Sequence, residues 1–161
     1  MTSGSGGLGE SVSVKMDARP ETVWALVSDI TRTGEFSPET LEAEWLDGAT
    51  GPAVGNRFRG HVKRNGRGPM YWTECVVDVC DVDTEFTFTV VLNDRRMNTW
   101  SYKLVATDDD GTEVTESFEL QDSLSNRVYW KLLGPLRRQT NIRNMNTTLD
   151  RIRAVVESEV S

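Results

Sequence analysis

One residue in this sequence stands out for its chemistry. Glu116 is a carboxylate in the alternating run Val114, Glu116, Phe118. In an extended strand these three side chains share one face, and that face is otherwise apolar. A carboxylate held there costs several kcal/mol unless it is paired or protonated. Three roles meet that condition. Arg138 or Arg143 from a C-terminal helix could neutralise it, it could anchor a ligand hydroxyl or amine, or it could act as a general acid/base with a raised pKa. Glu74, facing inward, would add a second carboxylate. Two carboxyl groups beside an aromatic wall suit dehydration or aldol-type cyclisation.

Other chemistries find little support. Cys75 and Cys80 are five residues apart, so on one strand they point to opposite faces, against a disulfide or a shared metal. His61 is the single histidine, too few for a two-histidine zinc site. A triad built on it lacks the G-x-S-x-G elbow. The glycines at 48 and 51 are not followed by a P-loop lysine, and no G-x-G-x-x-G opens a helix. Neither metal nor cofactor is expected. The formal net charge of −7 argues against a nucleic-acid partner, because phosphate contacts need a basic surface. No run approaches the roughly 20 apolar residues of a membrane span. The opening MTSGSGGLGE lacks the features of a secretory signal, so a cytoplasmic location is expected.

The elements that must position Glu116 follow from periodicity. Residues 1–10 are rich in Gly and Ser and read as a disordered tail, leaving one domain over 11–158. Val12, Val14 and Met16 alternate as a strand. A helix over about residues 19–28 follows, with Asp17 as a cap and Pro20 in its first turn. A short helical turn near 31–36 stops before Pro38. Six further strands are expected near 41–46, 56–63, 70–80, 85–91, 97–106 and 112–120. Turn signals at Asp47-Gly48, Asn65-Gly66, Asn93-Asp94 and Asp110-Gly111 separate several of them. Short turns make the sheet mostly antiparallel. Asp122 or Ser123 then caps a helix, which Gly134-Pro135 interrupts. Beyond it, Leu136, Ile142, Met145, Leu149, Ile152 and Val156 form one apolar stripe. The class is α+β: a curved seven-stranded antiparallel sheet wrapped on a long C-terminal helix, with two short helices after the first strand.

Choosing the more apolar parity of each strand collects Phe58, Trp72, Glu74, Phe86, Phe88, Trp100, Tyr102, Glu116 and Phe118 on an inner face, with Leu136 across from them. In residues 70–80 the alternative parity (Thr73, Cys75, Val77 and Val79) is equally apolar. A β-bulge there would swap faces midway. Aromatic walls with few polar groups mark small-molecule sites, and they also mark ordinary cores. Basic residues cluster as Arg57, Arg59, Lys63, Arg64 and Arg67, and again as Arg127, Lys131, Arg137, Arg138, Arg143, Arg151 and Arg153. Such clusters serve as solvated faces complementing acidic strands, or as docking faces for an anionic membrane or an acidic partner.

In order and spacing, several segments resemble one superfamily. They are Asp-Ala-Arg-Pro-Glu-Thr-Val-Trp (17–24), Ser-Asp-Ile (28–30), Ser-Pro-Glu (37–39), Val-Gly-Asn-Arg-Phe-Arg-Gly (54–60) and Trp-Thr-Glu (72–74). Phe-Thr-Phe (86–88), Trp-Ser-Tyr (100–102), Gly-Thr-Glu-Val-Thr-Glu (111–116) and Asn-Met-Asn-Thr-Thr-Leu-Asp-Arg-Ile (144–152) continue the series. Over about residues 11–158 the chain resembles the SRPBCC (START-related, helix-grip) superfamily, in its polyketide cyclase/dehydrase and lipid transport branch. The resemblance implies a deep cavity between sheet and C-terminal helix that holds a hydrophobic or amphipathic small molecule. It implies no catalytic residue, since none is shared across the superfamily. A polyketide cyclase or dehydratase, and a non-enzymatic regulatory or toxin-like partner protein, are the alternatives.

Overall fold

A computed structural model describes residues 8–64 and 67–160. The Asn65-Gly66 turn and most of the expected tail lie outside the described residues. The chain order is β1 (Gly9–Met16), α1 (Pro20–Val27), a 3₁₀ helix (Ile30–Glu35), β2 (Thr40–Trp45), β3 (Arg57–Val62), β4 (Tyr71–Asp81), β5 (Glu85–Leu92), β6 (Arg95–Ala106), β7 (Thr112–Leu120) and α2 (Leu124–Glu159). The seven strands form one sheet ordered β1-β7-β6-β5-β4-β3-β2, every neighbouring pair antiparallel. β1 and β2 therefore sit at opposite edges. α1 and the 3₁₀ helix make the crossing between them, which is why two short helices follow the first strand.

Local details depart from the expectation in four places. β1 begins at Gly9, so Glu10 belongs to the sheet rather than to a tail. Asp17 does not cap α1; Arg19 occupies the N-cap position without a side-chain bond, and Pro20 follows at the first helical position. There Pro loses nothing, since that N–H has no helical partner. Ser123, by contrast, caps α2 by accepting from the Asn126 N–H. The third departure is that Gly134-Pro135 does not interrupt α2, which runs unbroken for 36 residues. Pro135 lies on the exposed side, where a carbonyl deprived of its donor is solvated.

The fourth is the position of Leu136. The residues facing the sheet are Trp130, Gly134, Arg138, Asn141, Met145, Leu149, Ile152 and Val156, recurring at intervals of three and four. Leu136 lies nine residues before Met145, about two and a half turns and so on the opposite side. It is 70% exposed, and Leu124, Val128, Leu132 and Leu133 are exposed with it.

The core is centred under α1 and the C-terminal end of α2 and extends along the sheet to Tyr102, Cys75 and Phe58. Met16, Val77, Phe86, Leu104 and Val114 meet Val23, Leu26 and Val27 of α1 and Leu149, Ile152 and Val156 of α2. Trp24 packs edge-on against Phe86 at 6.2 Å. Leu149 is wholly buried. Leu149→Ala should destabilise the protein by about 2–5 kcal/mol, whereas Leu136→Ala should change stability by less than about 0.5 kcal/mol. Urea unfolding of the two variants checks both values. Equal costs would mean the helix is turned differently.

Candidate functional site

The site grows out of the same inner face, where strand register sets which side chains point inward. Phe58 pairs with Cys75, Val77 with Phe88, Phe88 with Trp100, Trp100 with Phe118, and Tyr102 with Glu116. Phe58, Phe86, Phe88, Trp100, Tyr102, Glu116 and Phe118 thus share the inner face. Their rings contact in two groups, Phe58–Phe88 at 5.2 Å with Phe86–Phe88 at 5.8 Å, and Trp100–Phe118 at 4.8 Å. Trp130 of α2 reaches Phe118 at 6.4 Å.

Trp72 and Glu74 do not join them. Both lie on the outer face, because β4 follows the other parity. Cys75 and Val77 are buried, and the register shift between Val77 and Val79 returns Cys80 inward. β3 dictates this choice. Its outward residues Arg57, Arg59 and His61 need partners, and antiparallel pairing sets Glu74 opposite Arg59 and Trp72 opposite His61. Arg57 donates to Glu74 at 2.6 Å, Trp72 stacks on His61 at 4.4 Å, and the Arg59 guanidinium lies 4.4 Å over the Trp72 ring. With Arg59–Glu44 and His61–Glu42 these contacts make an exposed charge ladder. Leu136, on the solvent side of α2, is likewise no part of an inner wall.

Glu116 is 3% exposed. The Tyr102 hydroxyl donates to its Oε1 at 3.1 Å, and its Oε2 has no partner. Burial pushes the carboxyl up to about 8, opposed only by the Tyr102 bond. Glu116 is therefore a neutral acid at physiological pH. Burial and the neighbouring carboxyl push the Tyr102 phenol well above its ordinary range. Neither Arg138 nor Arg143 is the ion-pair partner of Glu116.

The second buried carboxylate is Glu10. It opposes Phe118 across the β1–β7 ladder, and Val12 opposes Glu116. Its side chain is 6% exposed, with Arg138 Nε 3.9 Å from Oε2. No hydrogen bond of ordinary length and angle reaches either carboxylate oxygen, although the Asn141 amide lies near enough to favour the charged form. Desolvation raises its pKa, with Asn141 and Arg138 pulling the other way. The sequence carried a signal for it: Glu10, Val12, Val14 and Met16 share one parity. The Gly- and Ser-rich start hid that continuation. Gly134, Arg138 and Asn141, the helix residues above this half of the face, carry no periodic apolar signal. Cys75 is inert, since burial pushes its thiol up to about 12. Among the described residues no three of His, Cys, Asp or Glu stand together as a metal ligand set, and no helix is long and apolar enough to cross a membrane.

The family model described as polyketide cyclase / dehydrase and lipid transport matches residues 11–157. No curated protein matches the chain. Among solved structures, the chain is similar to the Polyketide_cyc-like protein Cgl2372 from Corynebacterium glutamicum. Identity is 30% and the TM-score 0.64, covering 96% of this chain and 94% of that one. A START superfamily protein from Mycobacterium smegmatis shares the fold with TM-score 0.73 at 16% identity, covering 93% and 97% of the two chains. The Zhui aromatase/cyclase from Streptomyces sp. R1128 does so with TM-score 0.68 at 15% identity, covering 95% of each chain.

Glu116 gives the site a pH signature. Its folded pKa lies above its unfolded value, so between pH 4.5 and about 8 the folded state holds a proton that the unfolded state has lost. The resulting stability is fully present below pH 4.5 and is lost as pH rises through about 8. Glu116→Gln should flatten the fall in Tm across that window. A wild-type slope retained in the variant would put the carboxyl in solvent.

Proposed function

The chain belongs to the polyketide cyclase / dehydrase and lipid transport family, and from that premise we propose that it holds a hydrophobic or amphipathic small molecule between its sheet and the first half of α2. The observation that carries this reading is that two buried carboxyl groups with unbonded oxygens share a face with half-buried aromatics. Glu10 and Glu116 leave three carboxyl oxygens without hydrogen bonds. Ordinary cores do not tolerate that: buried polar atoms are almost always bonded. Trp100, Phe88 and Trp130 are only partly covered, unlike the sealed cluster around Leu149. A ligand would cover these rings and supply partners for the acids. The domain so proposed runs from β1 to the end of α2. A cytoplasmic setting belongs to the same reading, in keeping with the free thiols Cys75 and Cys80.

A second reading rests on the Tyr102–Glu116 pair. A neutral carboxylic acid beside a phenol, facing an aromatic-walled space, is equipped to protonate a departing hydroxyl or a carbonyl oxygen. This would make the protein a cyclase or dehydratase with Glu116 as general acid. Glu116→Gln would then abolish turnover and spare binding.

Native mass spectrometry of the protein as purified, followed by extraction and identification of the adduct, tests the first reading. A stoichiometric apolar adduct is expected. In solution, the neutral dye 6-propionyl-2-dimethylaminonaphthalene should bind with blue-shifted emission. Trp100→Phe should weaken that binding, while Trp72→Phe, on the outer face, should leave it. Equal loss in both variants, with no adduct, would mean the inner face is closed.

A further inference from the structure

We propose that the polar part of this space receives a ligand bearing one cationic nitrogen on an apolar, ring-containing body, an aromatic or alicyclic amine. The inference rests on the ligand-holding reading above and narrows it to a chemical class.

Glu10 and Glu116 enter the inner face from adjacent strands. Because Glu10 opposes Phe118 and Val12 opposes Glu116, they are diagonal neighbours about 7–8 Å apart, with Cβ atoms somewhat closer. That spacing lets two glutamate side chains meet one ammonium between them. Its three N–H donors match the three unbonded oxygens: both of Glu10 and Oε2 of Glu116.

The charge balance favours a cation over a neutral hydroxyl. From β1 the group facing this space is Glu10, from β7 Glu116, from β6 the Tyr102 hydroxyl and from α2 Arg138 and Asn141. Only Arg138 is cationic. Its Nε stays 3.9 Å from Glu10, and its side chain is 54% exposed. Arg138 compensates one of the two acids, and the other ionises only if a further positive charge arrives. A ligand hydroxyl fills an acceptor but brings no charge, so one acid must stay protonated. An ammonium supplies the charge as well as the donors. The walls suit it too. Phe118, cross-strand neighbour of Glu10, stands between Trp100 at 4.8 Å and Trp130 at 6.4 Å, and aromatic faces attract cations.

Proton balance gives a distinctive readout. In the empty protein, burial keeps Glu116 protonated and raises Glu10. An entering ammonium turns a buried acid into a carboxylate, and its proton passes to solvent. Amine binding therefore releases up to about one proton per ligand at neutral pH and tightens as pH rises from 6 toward 8. A neutral ligand of the same shape does neither.

Isothermal titration calorimetry with 1-naphthylmethylamine and 1-naphthalenemethanol, in two buffers of different ionisation enthalpy, tests this. The amine should bind about tenfold or more tighter than the alcohol, a difference of about 1.4 kcal/mol, with proton release. The alcohol should show no release and no pH slope. Glu10→Gln should bring the two affinities close together while Tm stays near the wild-type value, and Glu116→Gln should lower the proton count. If Glu10→Gln does not fold, the proton count on the wild-type protein decides alone. Equal affinities, or amine binding without proton release, would overturn the cationic class. Alcohol binding without amine binding would overturn it too, yet leave the apolar space standing. If neither probe binds, the cationic class falls, and the mass-spectrometric adduct then decides separately whether the space holds any ligand.

Discussion

Everything at the candidate site depends on how α2 is pinned. Leu149, Ile152 and Val156 are wholly buried, on a helix that packs against β1, β7 and α1, and burial of side chains this size stabilises by about 1.5–3 kcal/mol each. That contact fixes the helix's rotation as well as its position. Once Leu149 faces the sheet, so must Asn141, Arg138, Gly134 and Trp130, because the same three- and four-residue spacing carries the row back along an unbroken helix. These residues are small, polar or aromatic. Beneath them Tyr102, Glu116 and Phe118 are buried, but Trp100 stays only half-covered.

Two halves of one sheet thus face two kinds of helix surface. Over the sealed half, apolar meets apolar, and the aromatic and aliphatic residues of α1 complete the packing. Over the other half, strand alternation brings in two carboxyl groups that the helix satisfies only in part, through Arg138 and Asn141 at Glu10. The energetic consequence is proton uptake. Without a full counter-charge, burial makes the neutral form of Glu116 the stable one, so the site holds hydrogen-bonding capacity in reserve. Tyr102 fixes one oxygen of Glu116 and leaves the other unbonded.

The outer face shows the opposite treatment of charge. Arg57, Arg59 and His61 meet Glu74, Glu44 and Glu42 in exposed pairs, each contributing little to stability. Their structural effect is on register. A slip of one residue would bury that whole row and expose Phe58, Cys75 and Val77. The charge ladder and the aromatic wall are therefore two sides of the same constraint.

The element types were legible in the sequence because periods of two and of three to four survive in any local window. Seven strands, two short helices, the C-terminal helix and the inward parity of Glu116, Tyr102 and Phe118 all follow from such windows. Long-range register and helix phase do not. In β4 both parities are comparably apolar, so only pairing with the basic row of β3 and the shift after Val77 turned Trp72 and Glu74 outward. Leu136 reads as part of the stripe until the buried end of α2 sets the phase, and half a turn of helix then separates it from the sheet. Glu10 follows a Gly- and Ser-rich run, yet pairing with β7 draws it into the sheet. The sequence by itself determined which residues can face a common core. The tertiary structure decided which carboxyl groups meet there, because that depends on hydrogen-bonded pairing between segments roughly a hundred residues apart, which local periodicity does not encode.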